Sequence, residues 1–255
     1  MKTINKFLGI ALLLSLFIIG CKKEKADDPK DEHDHHHSDG TGTVSLATTF
    51  KVGTNPYSTD STYTNGFGDD YKFTFVRIYL SGFNLTDHDS VEQALPNQYL
   101  LVDPQTSSYG LGTIDAGHYH DFNLTIGIDS ATNHSDPNTY PIESPLYPQS
   151  PAMHWSWNSG YIFYKLEGVA DTNNDGTFET TFSYHIGMDA LKRQVSKTIH
   201  KDVMKDQDNP IQVTIDLGKF LTNVDFETER TTHTMNDMPL ATKIADNAVT
   251  AIEIQ

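Results

Sequence analysis

The chain has 255 residues, 34 acidic against 18 basic, and a formal charge of −16 at pH 7. That balance repels a phosphate backbone and leaves no basic patch, so nucleic acid is excluded as a partner. Cys21 is the one cysteine, which excludes an internal disulfide.

Lys2 and Lys6 precede an apolar run from Phe7 to Ile19. The run is too short to span a bilayer as a helix. A positive start and a short apolar stretch ending in small residues predict a secretory signal over residues 1–20. Leu16-Phe17-Ile18-Ile19-Gly20-Cys21 resembles a bacterial lipobox, which implies lipidation of Cys21. The expectation is a lipoprotein of the outer membrane, facing the periplasm or the cell surface and held by its lipid anchor. The competing reading is an ordinary signal peptide with an incidental cysteine.

Residues 21–40 offer no aliphatic or aromatic side chain beyond Ala26. Such a segment buries too little apolar surface to offset the entropy of ordering, so a disordered tether is expected. It carries His33, His35, His36 and His37 among acidic residues. A His/Asp tract on a flexible arm captures Cu(II), Zn(II) or Ni(II) weakly; the alternative is a solvated acidic linker.

The body, residues 41–255, shows alternation and turn signals but no strong helical period. Strands are predicted at Val44 to Phe50, Tyr71 to Leu85 with a kink near Ser81-Gly82, Tyr99 to Val102, and Phe122 to Ile128. Further strands are predicted at Tyr161 to Glu167, Thr177 to Ile186, Ile211 to Leu217 and Val249 to Ile254. Residues 129–153 hold several prolines and read as a long surface loop. Many short strands separated by Gly, Asn, Asp and Pro predict an all-β fold, an antiparallel β-sandwich in a single domain.

One hairpin has readable geometry. Strands 161–169 and 177–186 flank Ala170-Asp171-Thr172-Asn173-Asn174-Asp175-Gly176, which would set His185 opposite about Tyr161. On its own strand Phe182, Tyr184 and Ile186 share one face with Phe178 before them, and His185 takes the other face with Thr181 and Ser183. His185 is therefore predicted off the core and free to act as a ligand. The loop begins like a calcium loop, with Asp171, Asn173 and Asp175 as alternate oxygen donors before Gly176. Position 12 would be Phe182 rather than Glu, so this is no EF-hand, and Asn-Asp-Gly also suits a plain turn.

Both tryptophans, Trp155 and Trp157, lie in Met153-His154-Trp155-Ser156-Trp157-Asn158-Ser159-Gly160-Tyr161. With the only thiol assigned to a lipid, His and Met remain as donors for a soft metal. Two other spots are rich in such donors: His118-Tyr119-His120, and His233-Thr234-Met235 with Met238 nearby. The bland alternative is tryptophans in packing and histidines on the surface. No phosphate loop, G-x-S-x-G elbow, H-E-x-x-H or cysteine nucleophile is present, and no enzyme activity is expected of this chain.

The run Met153 to Gly168, with Trp155, Trp157, Ser159-Gly160-Tyr161-Ile162 and Lys165-Leu166-Glu167-Gly168, resembles the MbnP-like family of periplasmic and surface proteins. Phe182-Ser183-Tyr184-His185-Ile186-Gly187 resembles it too, with weaker likeness at Tyr99 to Asp103, Ala116-Gly117, Ile126 to Ile128, Ile215 to Leu217 and His233 to Met235. The resemblance implies copper binding, in acquisition or storage, and a dihaem cytochrome c peroxidase-like partner that oxidises a tryptophan to kynurenine. Carried over, Trp155 or Trp157 is the residue modified, and His185, His154 and His233 are the candidate ligands. Two other classes stay open: a surface glycan-binding module stacking sugars on the tryptophans, and a structural lipoprotein with a calcium-stabilised hairpin.

Overall fold

The computed structural model describes residues 40–149, 151–156 and 160–255. The signal segment, Cys21, the histidines at 33, 35, 36 and 37, and Trp157 lie outside the described residues.

Alternating burial builds most of the body into strands. In chain order they are β1 (Thr41–Val52), β2 (Asn55–Pro56), β3 (Tyr63–Thr64), β4 (Asp70–Thr86), β5 (Glu92–Ala94), β6 (Tyr99–Val102), β7 (Ser108–Asp115) and β8 (Gly117–Ile126). After a single helical turn, α1 (Ser130–Asn133), come β9 (His154–Ser156), β10 (Gly160–Asp171), β11 (Thr180–Gly187), β12 (Arg193–Val203) and β13 (Asp208–Asp216). The chain ends with α2 (Leu217–Phe220), β14 (Thr231–Thr232), α3 (Met238–Ala251) and β15 (Ile252–Ile254).

The smaller sheet has the order β15-β13-β1-β2, with β7 also on β1. The larger runs β12-β8-β4-β10-β11-β14, with β3, β5 and β6 pairing with β4 and β9 pairing with β10. Leu46 and Ile211 of the first sheet share one buried cluster with Phe83, Phe122, Tyr164 and Phe182 of the second. The sandwich predicted from alternation is therefore present. Two of its pairings, β1 with β13 and β11 with β14, are parallel, because alternation specifies faces and not strand direction.

Several elements differ from the sequence reading. The segment ending the chain is mostly helix: α3 buries Leu240, Ala241, Ile244, Ala245, Ala248 and Ala251 on one stripe. Asp237 caps it by accepting from the Leu240 N–H at 3.1 Å, with a proline in the first turn. Only Ile252–Ile254 remain as strand, antiparallel to β13. Strands β7 and β12 were not predicted; β12 is a polar edge strand whose only buried side chains are Val195 and Val203. The kink in β4 is present, with Gly82 at φ +63° and a register break between Ser81 and Asn84. Among the described residues no helix is long and apolar enough to cross a membrane.

Candidate metal centre

His185 lies on β11 with its neighbours Tyr184 and Ile186 turned into the core, so its ring faces outward as alternation predicted. The hairpin register differs from the prediction. His185 stands opposite Lys165, not Tyr161, because the strands extend to Ala170↔Thr180 and residues 172–179 form the loop between them.

That register gives His185 its partner. Glu167 points outward from β10 and its Oε1 lies 2.7 Å from His185 Nε2, with the Ser183 hydroxyl 3.0 Å from the same nitrogen. Lys165 Nζ sits 3.4 Å from Glu167 Oε1. Burial depresses the His185 pKa, and nearby Lys165 and His233 add to this, against the opposing hydrogen bond to Glu167. In the neutral tautomer that donates Nε2–H to Glu167, Nδ1 is the lone-pair nitrogen, the carboxylate–histidine arrangement found behind metal ligands.

His233 stacks on His185 with ring centroids 4.4 Å apart. It is exposed, on the turn that follows β14. Thr234 holds that turn in place. Its hydroxyl accepts from the Gly187 N–H at 3.0 Å and donates to the His185 carbonyl at 2.8 Å, and its side chain is fully buried. Met235 N–H closes back onto the His233 carbonyl at 2.8 Å, and Thr234 adopts φ +63°, a strained value for a β-branched residue.

Trp155 packs its six-membered ring on the backbone of Gly187. A Cβ at Gly187 would fall 2.7 Å from Trp155 Cζ3 and 2.4 Å from the Tyr161 carbonyl oxygen. The indole is half-buried against the core. Upstream, Asn133 fixes this segment: fully buried, it accepts from the Tyr161 N–H at 2.8 Å and donates to Asp189 at 2.8 Å.

Three sequence-predicted residues thus gather at one end of β11: His185, His233 and Trp155. His154 points onto Tyr161, with ring centroids 4.7 Å apart, and its buried Nε2 has no hydrogen-bond partner among the described residues. Burial lowers its pKa, offset in part by Asp136. Among the described residues no hydrogen bond or ring contact joins His154 to His185 or His233. Met153 is core, while Met235 is 70% exposed. Glu167, Ser183, Gly187 and Thr234 were not assigned from sequence; Glu167 and Ser183 share the outward face of adjacent strands with His185, a relation readable only once the register is known.

In the hairpin loop, Asp171 is buried and accepts from the Asp175 N–H at 3.1 Å and the Gly176 N–H at 2.7 Å. Asn173 Oδ1 also accepts from Asp175 N–H, at 3.0 Å. The carboxylates of Asp171, Asp175 and Glu179 bring oxygens within 4.8 Å of one another. Glu179 joins Asp171 and Asp175 in that acidic group.

A family model for MbnP matches residues 41–237. The chain belongs to the MbnP family, as its tryptophan run and β11 motif suggested, and the family is associated with copper. Among solved structures it resembles MbnP from Methylosinus trichosporium, with a TM-score of 0.61 at 15% identity, covering 84% of this chain and 98% of that one. At that identity the likeness concerns the fold. No curated protein sequence matches the chain.

Proposed function

We propose that this protein is a lipid-anchored copper binder of the outer membrane, serving copper acquisition or storage, and not an enzyme. The observation that carries this reading is the pair of neighbouring imidazoles, His185 and His233, with ring centroids 4.4 Å apart, and Trp155 packed on Gly187 two residues further along β11. Nitrogen donors suit copper. Burial lowers the His185 pKa and Glu167 orients the ring through Nε2, leaving Nδ1 as the nitrogen for a metal; His233 brings a second, exposed imidazole that turns out of the stack to share the ion. Family membership supports the same cargo.

In this reading Trp155 is oxidised to kynurenine by a dihaem cytochrome c peroxidase-like partner using peroxide: two peroxides open the indole to N-formylkynurenine and are reduced to water, and hydrolysis releases the formyl carbon as formate, a net gain of one oxygen and loss of one carbon. Trp157, outside the described residues, is the other candidate for this change, and His154 is a reserve ligand on the far side of its strand. The anchor is the lipid on Cys21, and the tether histidines 33, 35, 36 and 37 act as a weak collector.

The test is metal content and peptide mass of protein purified from its native host. Copper and the mass change on the peptide holding Trp155 and Trp157 are expected, with copper lost from His185→Ala. Copper-free protein with both tryptophans unmodified would sink the reading. A second reading, a calcium-stabilised hairpin, is favoured by the Asp171–Asp175–Glu179 cluster alone. It requires a melting temperature raised by calcium and lowered in Asp171→Asn.

A further inference from the structure

A second group of imidazoles lies away from this centre. We infer that His118, His120 and His200 form a separate surface site for a divalent transition-metal cation, with Cu(II) the tightest-binding member of the series. His118 and His120 are alternate residues of β8 and so share a face. β12 runs antiparallel beside them, but its register breaks: Thr198 pairs with Asp121 and Lys201 with Tyr119, so Ile199 and His200 oppose His120 alone. That is a β-bulge, and His200 in it adopts φ +47°.

The bulge carries the His200 ring over the other two. Its centroid lies 4.5 Å from that of His120, nearly perpendicular, and 5.9 Å from that of His118. Two imidazoles sharing one ion at about 2 Å from each nitrogen place their centroids about 5 Å apart. The ring centroids are therefore near the spacing of a shared ion, although the three ring nitrogens do not yet lie within 4.8 Å of one another, and side-chain rotations are needed to bring them together.

The outer partners have the pattern of metal ligands. Asp202 Oδ1 lies 2.7 Å from His118 Nδ1, and Asp121 Oδ2 lies 3.0 Å from His120 Nδ1. Asp121 is itself fixed by the Thr198 hydroxyl at 2.7 Å. Each Nδ1 is thus occupied by a carboxylate and each Nε2 is left as the donor, while two negative charges offset the cation. Nitrogen donors with nearby carboxylates suit Cu(II) and Zn(II), and Cu(II) binds more tightly in the divalent series. A left-handed, non-glycine residue costs stability and persists where its surroundings or a function hold it there.

This site does not depend on the copper reading of His185. β4 and β10 lie between β8 and β11, a separation of about 14 Å across the sheet alone.

The test uses the full mature chain, Cu(II) as the only added metal, and diethylpyrocarbonate labelling read peptide by peptide. Expected is joint protection of His118, His120 and His200 as Cu(II) is added, read separately from peptides holding His185 or the tether. His200→Ala changes only an exposed side chain in the bulge, so it should fold, yet it should abolish protection of His118 and His120 while leaving that of His185. Asp202→Ala should weaken Cu(II) at this site by about 10–100-fold. Equal labelling of the three with and without Cu(II) would overturn the inference, as would protection of His118 and His120 that survives His200→Ala unchanged.

Discussion

Thr234 is the residue on which the His185–His233 arrangement turns, and Thr234→Val isolates its hydroxyl. Valine has nearly the same shape and the same branching at Cβ, so the strain at φ +63° is common to both proteins. What changes is two buried hydrogen bonds, the Gly187 N–H at 3.0 Å and the His185 carbonyl at 2.8 Å. Leaving a buried polar group unpaired costs about 1–3 kcal/mol, so the pair amounts to about 2–4 kcal/mol after partial relaxation. For a body of this size each kcal/mol lowers Tm by about 2–4 °C, which predicts a fall of about 5–15 °C. If the turn detaches, His233 leaves His185, and copper affinity should drop at least tenfold, about 1.4 kcal/mol. Thermal melts and competitive copper titration of Thr234→Val and Thr234→Ser give the answer. Serine keeps the hydroxyl, so it should stay within about 1 kcal/mol of the parent. A Thr234→Val protein melting within about 2 °C of the parent would refute the reasoning, since that is less than one unpaired group costs. So would a serine variant as impaired as the valine one.

Gly187→Ala should destabilise by about 1–3 kcal/mol, since overpacking of that order follows when a Cβ meets fixed backbone. Here the Cβ would sit 2.4 Å from the Tyr161 carbonyl and 2.7 Å from Trp155. Tryptophan fluorescence should shift along with Tm; an unshifted spectrum would mean Trp155 does not rest there. Glu253 on β15 gives a pH-dependent effect. Hydrogen bonds from Lys219 and Lys51 lower its pKa, so its folded carboxylate is favoured over the unfolded one. The stability it contributes is present above its unfolded value of 4.5 and lost as pH falls through the lower folded value. Glu253→Gln should therefore lower Tm near neutral pH and converge on the parent in acid; parallel Tm–pH curves would refute this.

The sequence makes the outward face of His185 legible because period-two alternation in Phe182, Tyr184 and Ile186 needs no knowledge of partners. It leaves the register hidden: the Asn-Asp-Gly signal sets the loop at 170–176, whereas the strands run on to Asp171 and resume only at Thr180. That shift replaces Tyr161 by Lys165 opposite His185 and brings in Glu167. α3 is hard to read because its buried stripe is mostly alanine, and Val249 to Ile254 taken alone looks like a strand. β12 carries too few apolar residues to alternate visibly. His200 could not be grouped with His118 and His120 from spacing, since a bulge between strands distant in sequence brings them together.

The parallel pair of β1 and β13 sets the order in which the protein can be built. Ser45 and Asp208 are hydrogen-bonded neighbours 163 positions apart, and β13 is flanked in turn by the last three residues of strand. The small sheet therefore waits for nearly the whole chain. Closing so long a loop before any contact rewards it is slow, and such high contact order retards folding. No N-terminal part of the body contains a finished small sheet, so that sheet is completed only once its last strands are made. In the exported protein proposed above, this delay would favour translocation, because the small sheet stays open until β13 and β15 have arrived.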